Sequence, residues 1–292
     1  MRKLKAQITD NLIAAKATSA EIDFVLYLSH YQNDAGIVRG VYYQAVCEAL
    51  SISPQTFYNV KKSLEEKGII RVAKNFYADW DIQIVGNDFS ECELHPGKPA
   101  DNYLNTSLDI FYNKEFYQMK ANEKLMAMLY VRIAGAGSPN YHIGTAHFYD
   151  KYTKLFGVQK RTLQDYLTGI KKFFAVGIKN REYWISPLRK KAGKTNALTD
   201  KAERAKQIGN SICRRFRLEE AKKAYKAVKE LTEQYTYSVR GDIEYHITNA
   251  VQEVLCRINN TAEPAKWKKR LMSQKLLHKV FLELLPIECR IV

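Results

Sequence analysis

The sequence predicts a mainly α fold with small β-wings, of the α+β kind, on three observations. Apolar residues recur at helical spacing over most of the chain. Two of the helices are each followed by a short hairpin pattern with a turn signal at its centre. Residues 156–173 align without a gap on residues 50–67, so one three-helix unit with its hairpin occurs twice. This reading divides the 292 residues into a first unit at 1–88, a linker at 89–107 and a second unit at 108–187. A basic linker at 188–199 and a helical region at 200–292 complete it.

In the first copy, Thr18 or Ser19 with Glu21 forms a capping pattern ahead of Ile22, Val25, Leu26 and Leu28, which mark a helix through residue 31. GIVRGV reads as a short strand. YYQAVCEAL follows as a helix with Val46 and Leu50 inward. After the polar turn SIS, Ser53 caps a third helix with Pro54 at its first position. Phe57, Val60 and Leu64 share its buried face, and Gln55, Thr56, Tyr58, Asn59, Lys61 and Lys62 fall largely on the others. Gly68 ends the helix, Ile69–Val72 starts a strand, and NFYADW turns a hairpin that returns through Asp81–Val85.

Helix, strand, helix, turn, helix and hairpin in this order resemble the winged helix-turn-helix. The stretch LSISPQTFYNVKKSLEEKGII looks like the turn, recognition helix and first wing strand of bacterial winged-helix DNA-binding domains. That resemblance implies a third helix lying in the major groove of double-stranded DNA and a wing against the backbone or minor groove. Gln55 and Asn59 can then read adenine by bidentate bonds, while Thr56 meets a thymine methyl or a phosphate. Tyr58, Lys61, Lys62 and Arg71 would hold the backbone without specifying sequence.

In the second copy, ANEKLMAMLYVRIA is a helix with Leu125, Met128, Leu129 and Ile133 on one apolar face. TAHFYDKYTKLFG is the next helix, and FGVQKRTLQDYLTGIKKF aligns with the first recognition helix. Thr162, Leu163, Tyr166 and Ile170 match Thr56, Phe57, Val60 and Leu64. AVGIKNREYWISP reads as two strands around a tight Asn-Arg turn. Gln159, Arg161 and Gln164 are its base-reading candidates, and Arg161 is the foremost, since Arg pairs with guanine O6 and N7. Lys160, Lys171, Lys172, Lys179 and Arg181 would contact phosphates. The bland alternative is a copy used for dimerisation or packing only.

GNDFSECELHPGKPADNYLNTS is rich in turn formers and reads as a linker with little structure before Leu108. LRKKAGKTN is a basic, flexible connection. From Thr199 the pattern is helical: 200–234 as one broken or two consecutive helices, then DIEYHITNAVQEVLCRI, then a last helix from Pro264 with Trp267, Leu271, Leu276, Val280 and Leu284 apolar. Arg214, Arg215 and Arg217 read as a solvated helix face. Dimerisation or partner docking is the expected role of this region.

Lys plus Arg outnumber Asp plus Glu by 46 to 31, a net charge of +15, which favours a polyanionic partner. No apolar run is long enough to span a membrane and no signal peptide is visible, so a cytoplasmic location is expected. Five scattered cysteines without CxxC spacing argue for reduced thiols rather than disulfides or zinc. Phosphate-binding loops, HExxH and GxSxG are absent. His142 and His147 are five apart rather than two, so with Tyr149 and Tyr152 they do not make the His-x-His and Tyr site of a rolling-circle nuclease. The expectation is a DNA-binding protein without catalysis, cofactor or metal. Transcriptional regulation is the first expectation, and replication initiation on a plasmid or other mobile element the alternative.

Overall fold

The computed structural model describes residues 2–74, 79–90, 103–135, 140–188, 197–236, 238–239, 242–260 and 271–289. The expected hairpin tip at 75–78, most of the linker with Cys92, the basic stretch at 189–196 and the start of the last helix with Pro264 and Trp267 lie outside the described residues. The fold is mainly helical with small antiparallel sheets. The chain divides into two compact units. One comprises Met1–Ile37, Gln44–Val72 and Ile82–Thr195; the other comprises Val38–Tyr43, Ala73–Asp81 and Asn196–Val292.

The first unit opens with β1 (Lys3–Lys5), α1 (Ala6–Ala14) and α2 (Ser19–Tyr31). Thr18 caps α2: its Oγ1 accepts from the Glu21 N–H, and the Glu21 carboxylate accepts from the Thr18 N–H at 2.6 Å. The same carboxylate receives Lys67 Nζ at 2.7 Å. Burial alone would raise the Glu21 pKa, but hydrogen bonds from Lys67, Ser63 and Thr18 outweigh it and hold the group below its usual value. α2 is buried all round, with Phe24 and Tyr27 joining the expected residues in the core.

In chain order β2 (Ile37–Tyr42), α3 (Tyr43–Leu50), α4 (Pro54–Glu66), β3 (Ile70–Lys74) and β4 (Asp79–Ile84) follow, with strand order β2-β4-β3; Val38–Tyr43 and Ala73–Asp81 of this stretch count with the other unit. Val46 of α3 is buried as expected, and Leu50 only partly. α4 starts where Ser53 Oγ accepts from the Thr56 N–H at 3.1 Å, with Pro54 at the first position. It ends at Gly68, whose φ of +67° is left-handed and therefore open to glycine at little cost. Phe57, Val60 and Leu64 are buried. Phe57 meets Phe24 edge-on at 5.7 Å between centroids, which seats α4 on α2.

Tyr103–Asn105 falls in the stretch read as linker and forms β5. It pairs antiparallel with β1, Leu4 opposite Leu104, and both leucines are fully buried. A 3₁₀ turn at Asp109–Tyr112 and α5 (Lys114–Tyr117) lead into α6 (Ala121–Gly135). The single apolar face expected for α6 is not what forms: every residue from Lys124 to Val131 is buried. The reason is position. α6 runs through the middle of this unit, touching α1, α2, β5 and elements of the set that follows it.

That set is β6 (Tyr141–Gly144), α7 (Thr145–Phe156), α8 (Lys160–Ile170), β7 (Phe174–Lys179) and β8 (Glu182–Pro187). Taken with α6, it repeats the order of α2 through β4, and the strand order β6-β8-β7 repeats β2-β4-β3. α2 and α6, the first helices of the two sets, pack on each other. Asn180 and Arg181, at φ +51° and +60°, make the tight turn of the β7–β8 hairpin.

In the other unit α9 (Ala197–Arg215), α10 (Lys222–Tyr235), α11 (Ile243–Asn259) and α12 (Gln274–Leu284) enclose a core that includes Ile212, Leu231, Val251, Val254 and Phe281. The break between α9 and α10 falls at Arg217, φ +52°. α12 starts at Gln274 because Ser273 Oγ caps it, accepting from the Leu276 N–H. Its buried face is Leu277, Val280 and Phe281; Leu271 and Leu284, expected on the apolar face, are exposed.

Arg214 and Arg215 are not the solvated pair the sequence suggests. Arg214 Nε lies 3.4 Å from Asp79 Oδ2, and its Nη2 donates to the Gly40 carbonyl at 3.2 Å. Arg215 lies 4.0 Å from Asp81, and Arg39 reaches Asp242 at 2.9 Å and Asp81 at 3.5 Å. Gly40 (φ +59°) has no room for a side chain, since an added Cβ would collide with Ser211. Within this unit, therefore, Val38–Tyr43 is held against α9 and α11 by charge and by close backbone approach.

Candidate nucleic-acid interface

Because Phe57, Val60 and Leu64 anchor α4, its opposite side is turned outward. Gln55, Tyr58, Asn59 and Lys62 are exposed, and Thr56 and Lys61 are half-buried. Gln55 Nε2 donates to Asn59 Oδ1 at 2.9 Å, so the two amides hold each other at one turn's spacing. Each keeps unused hydrogen-bonding capacity for a base edge. The Thr56 hydroxyl lies 2.9 Å from Ser53 Oγ and belongs to the cap. Burial lowers the pKa of Lys61, with Glu65 acting in the opposite sense. Lys62 pairs with Glu66 at 3.7 Å, both highly exposed, an interaction of little energetic weight. Arg71 is exposed on β3.

α8 is seated by Leu163, Tyr166, Leu167 and Ile170. Gln159 occupies its N-cap without a side-chain cap bond, and Gln159, Lys160, Arg161 and Gln164 are exposed. Lys160 Nζ lies 5.7 Å from the centre of the Tyr149 ring. Gln164 Nε2 donates to Tyr149 Oη at 3.1 Å, and that hydroxyl is 2.8 Å from Tyr183 Oη. Burial, then this bond, pushes the Tyr183 phenol up to about 12. Arg161 makes no ion pair with any described residue.

Lys171 and Lys172 are exposed just beyond α8, and Lys179 and Arg181 are exposed at the hairpin turn. Six exposed cations on α8, its exit and the following hairpin thus face two carboxylates, Asp165 and Glu182. The corresponding stretch of α4 and its following strand is closer to neutral: Glu65 and Glu66 offset Lys61 and Lys62, Lys67 is taken up by Glu21, and Arg71 and Lys74 remain as exposed cations. Of the two helix tips, the second carries the stronger attraction for a polyanion.

Of the four residues considered for a nuclease, His147, Tyr149 and Tyr152 share α7 and His142 lies on the strand before it. His142 sits on β6, and Tyr149 sits on α7 in the hydrogen-bond chain with Gln164 and Tyr183. Phe148 and Tyr152 are core residues. Sequence reasoning missed the roles of Tyr149 and Tyr183 in holding Gln164, and the exposed pair His142 and Trp184, whose rings stack at 5.0 Å. The first depends on how α7 and α8 pack on β8 and the second on which strand residues stand opposite each other, and no local signal reports either.

Among the described residues no helix is long and apolar enough to cross a membrane. Cys47, Cys213, Cys256 and Cys289 are free thiols. No protein-family model, curated protein or solved structure matches the chain. The functional reading therefore rests on the residues themselves.

Proposed function

We propose that the chain is a sequence-specific double-stranded DNA-binding protein with two tandem winged helix-turn-helix domains and a C-terminal helical region, acting as a cytoplasmic transcriptional regulator. One observation carries this reading. The same order of helices and strands occurs twice, and each time the third helix buries three or more apolar residues and leaves a polar, cation-flanked tip outward. A helix of that kind fits the major groove, with residues near its N-terminus at the base edges.

Gln55, Asn59, Gln159, Arg161 and Gln164 read bases, and Thr56 adds a methyl contact. Tyr58, Lys61, Lys62, Arg71, Lys160, Lys171, Lys172, Lys179 and Arg181 position the duplex through its phosphates. Affinity comes mainly from counterion release, and specificity from the two helix tips. Neither a cofactor nor a catalytic step is required. The C-terminal helices supply a homodimer contact or a partner surface.

The packing of α2 on α6 favours a second reading, replication initiation on a plasmid or other mobile element. Two reading helices held in one unit suit repeated half-sites on one duplex. Selection of bound duplexes from a random pool tests the shared claim: recovery of a defined motif supports it, and recovery of no motif from a pool that is nonetheless bound overturns sequence-specific reading. Direct repeats of that motif beside the gene would favour initiation over regulation.

A further inference from the structure

We propose that the outward face of the β6-β8-β7 sheet is a stacking site for an unpaired nucleobase of a single-stranded nucleic acid, a ligand that the duplex-reading helices do not require. Trp184 occupies the middle strand of this sheet and is 41% exposed. An exposed ring of that size offers apolar area and a π-face for contact. Opposite it on one side stands His142, whose ring stacks on the indole at 5.0 Å and 27°. Opposite it on the other side stands Gly177, and a Cβ built there would meet nothing within 4 Å. Ala175 and Lys179, two residues either way along β7, share the face with Gly177 and are exposed. The result is a shallow notch: small residues on its floor, the indole as its wall and Lys179 at one end.

The notch suits a flat aromatic ring with an anion attached. An indole offers a π-face to any of the bases, and base–aromatic stacking tolerates sequence because every base has such a face. The cations lie where the backbone would run, with Lys179 next to the notch and Asn180 and Arg181 forming the turn beyond it. Among the described residues Glu182 is the one carboxylate on this face; it lies 3.9 Å from His142 Nδ1 and stands opposite Lys179 in the strand register. A protein partner would also accept an exposed Trp, but the cations Lys179 and Arg181 beside it favour the nucleic acid. Bases in a duplex are stacked on one another and present no free face, so the site selects unpaired strands.

Intrinsic tryptophan fluorescence tests this on the full chain. Single-stranded deoxyribo- and ribo-oligonucleotides are titrated against a fully paired duplex, with Trp184→Phe, Trp184→Ala and Gly177→Val beside the parent. Single strands of either sugar should quench the parent. Trp184→Ala should lose the quenching and bind single strands about tenfold more weakly or worse, Trp184→Phe should bind at an intermediate level, and Gly177→Val should weaken single strands by filling the notch while leaving duplex binding unchanged. Unchanged single-strand binding in both Trp184→Ala and Gly177→Val overturns the proposal. So does a parent that shows no quenching while Trp184→Ala shifts the oligomeric state, which would mark a protein contact. Duplex reading fails separately, through loss of sequence preference with the single-strand quenching intact.

Discussion

Lys124 Nζ, fully buried on α6, lies 2.6 Å from both carboxylate oxygens of Asp23 on α2 and 2.8 Å from Ser19 Oγ. The pair ties the first helices of the two repeated sets together. Burial pushes the Asp23 carboxyl up to about 6 against the pull of Lys124, and burial likewise lowers the Lys124 pKa against the pull of Asp23. Phe116 and Tyr117 border the ammonium at 5.7 and 5.8 Å. Removing one charge leaves the other buried without its partner. Lys124→Met should therefore cost about 3–5 kcal/mol in denaturant unfolding, and Lys124→Met with Asp23→Leu should recover much of it. A double variant no more stable than the single one would show that the pair is not the source of the cost.

Base reading by α8 predicts a loss confined to one position of the site. Arg161→Ala should cost roughly 1–3 kcal/mol on the preferred duplex and relax the base requirement there. Asn59→Ala should do the same at another position, and because it also releases Gln55 from its 2.9 Å bond, the loss in the double variant with Gln55→Ala should differ from the sum of the two single losses. Competition binding with single-base variants of the selected site measures both. A uniform loss across all sequences would reassign the two residues to the backbone.

The phosphate contacts predict the opposite pattern. Lys171→Ala should weaken every sequence alike and reduce the salt slope of log K by about 1. Lys62→Ala should have a smaller effect than Lys171→Ala, because Glu65 and Glu66 lower the net positive charge around Lys62. Affinity measured over a series of salt concentrations checks both, and equal losses would contradict the charge balance argued for the two tips.

Glu244 sets a pH dependence for the helical unit. Burial is the main cause that lifts its carboxyl from 4.5 to about 7; Arg215 opposes, and Asp242 and Asp81 add to the rise. Ser211 Oγ donates to its Oε1 at 3.2 Å. Between those two pH values the folded chain holds a proton that the unfolded chain releases, so stability rises as pH falls. The contribution is complete below about 4.5 and lost as pH climbs through about 7, on the order of 3 kcal/mol in all. Asp79, also raised by burial, acts in the same direction. Thermal unfolding of Glu244→Gln across this range should show a flatter dependence than the parent, and equal slopes would remove Glu244 as the cause.

Much of the local structure was legible in the chain. Thr18 with Glu21 and Ser53 with Pro54 start their helices because the capping atoms are at most three residues from the N–H groups they satisfy. Gly68 ends α4, and Asn180-Arg181 turns a hairpin, for equally local reasons. The outward side of α4 and α8 followed from the spacing of Phe57, Val60 and Leu64 and of Leu163, Tyr166 and Ile170. Helical spacing could not report that α6 would be buried on every side, because burial all round depends on how many neighbours reach a helix. Nor could it report β1 pairing with the distant β5, Arg214 and Arg215 taken up by Asp79 and Asp81, or Trp184 set between His142 and Gly177. Caps, turns and apolar stripes are decided within about one turn of the backbone. Strand register and buried charge pairing are decided only when distant segments meet, and these made the candidate single-strand site and the α2–α6 junction.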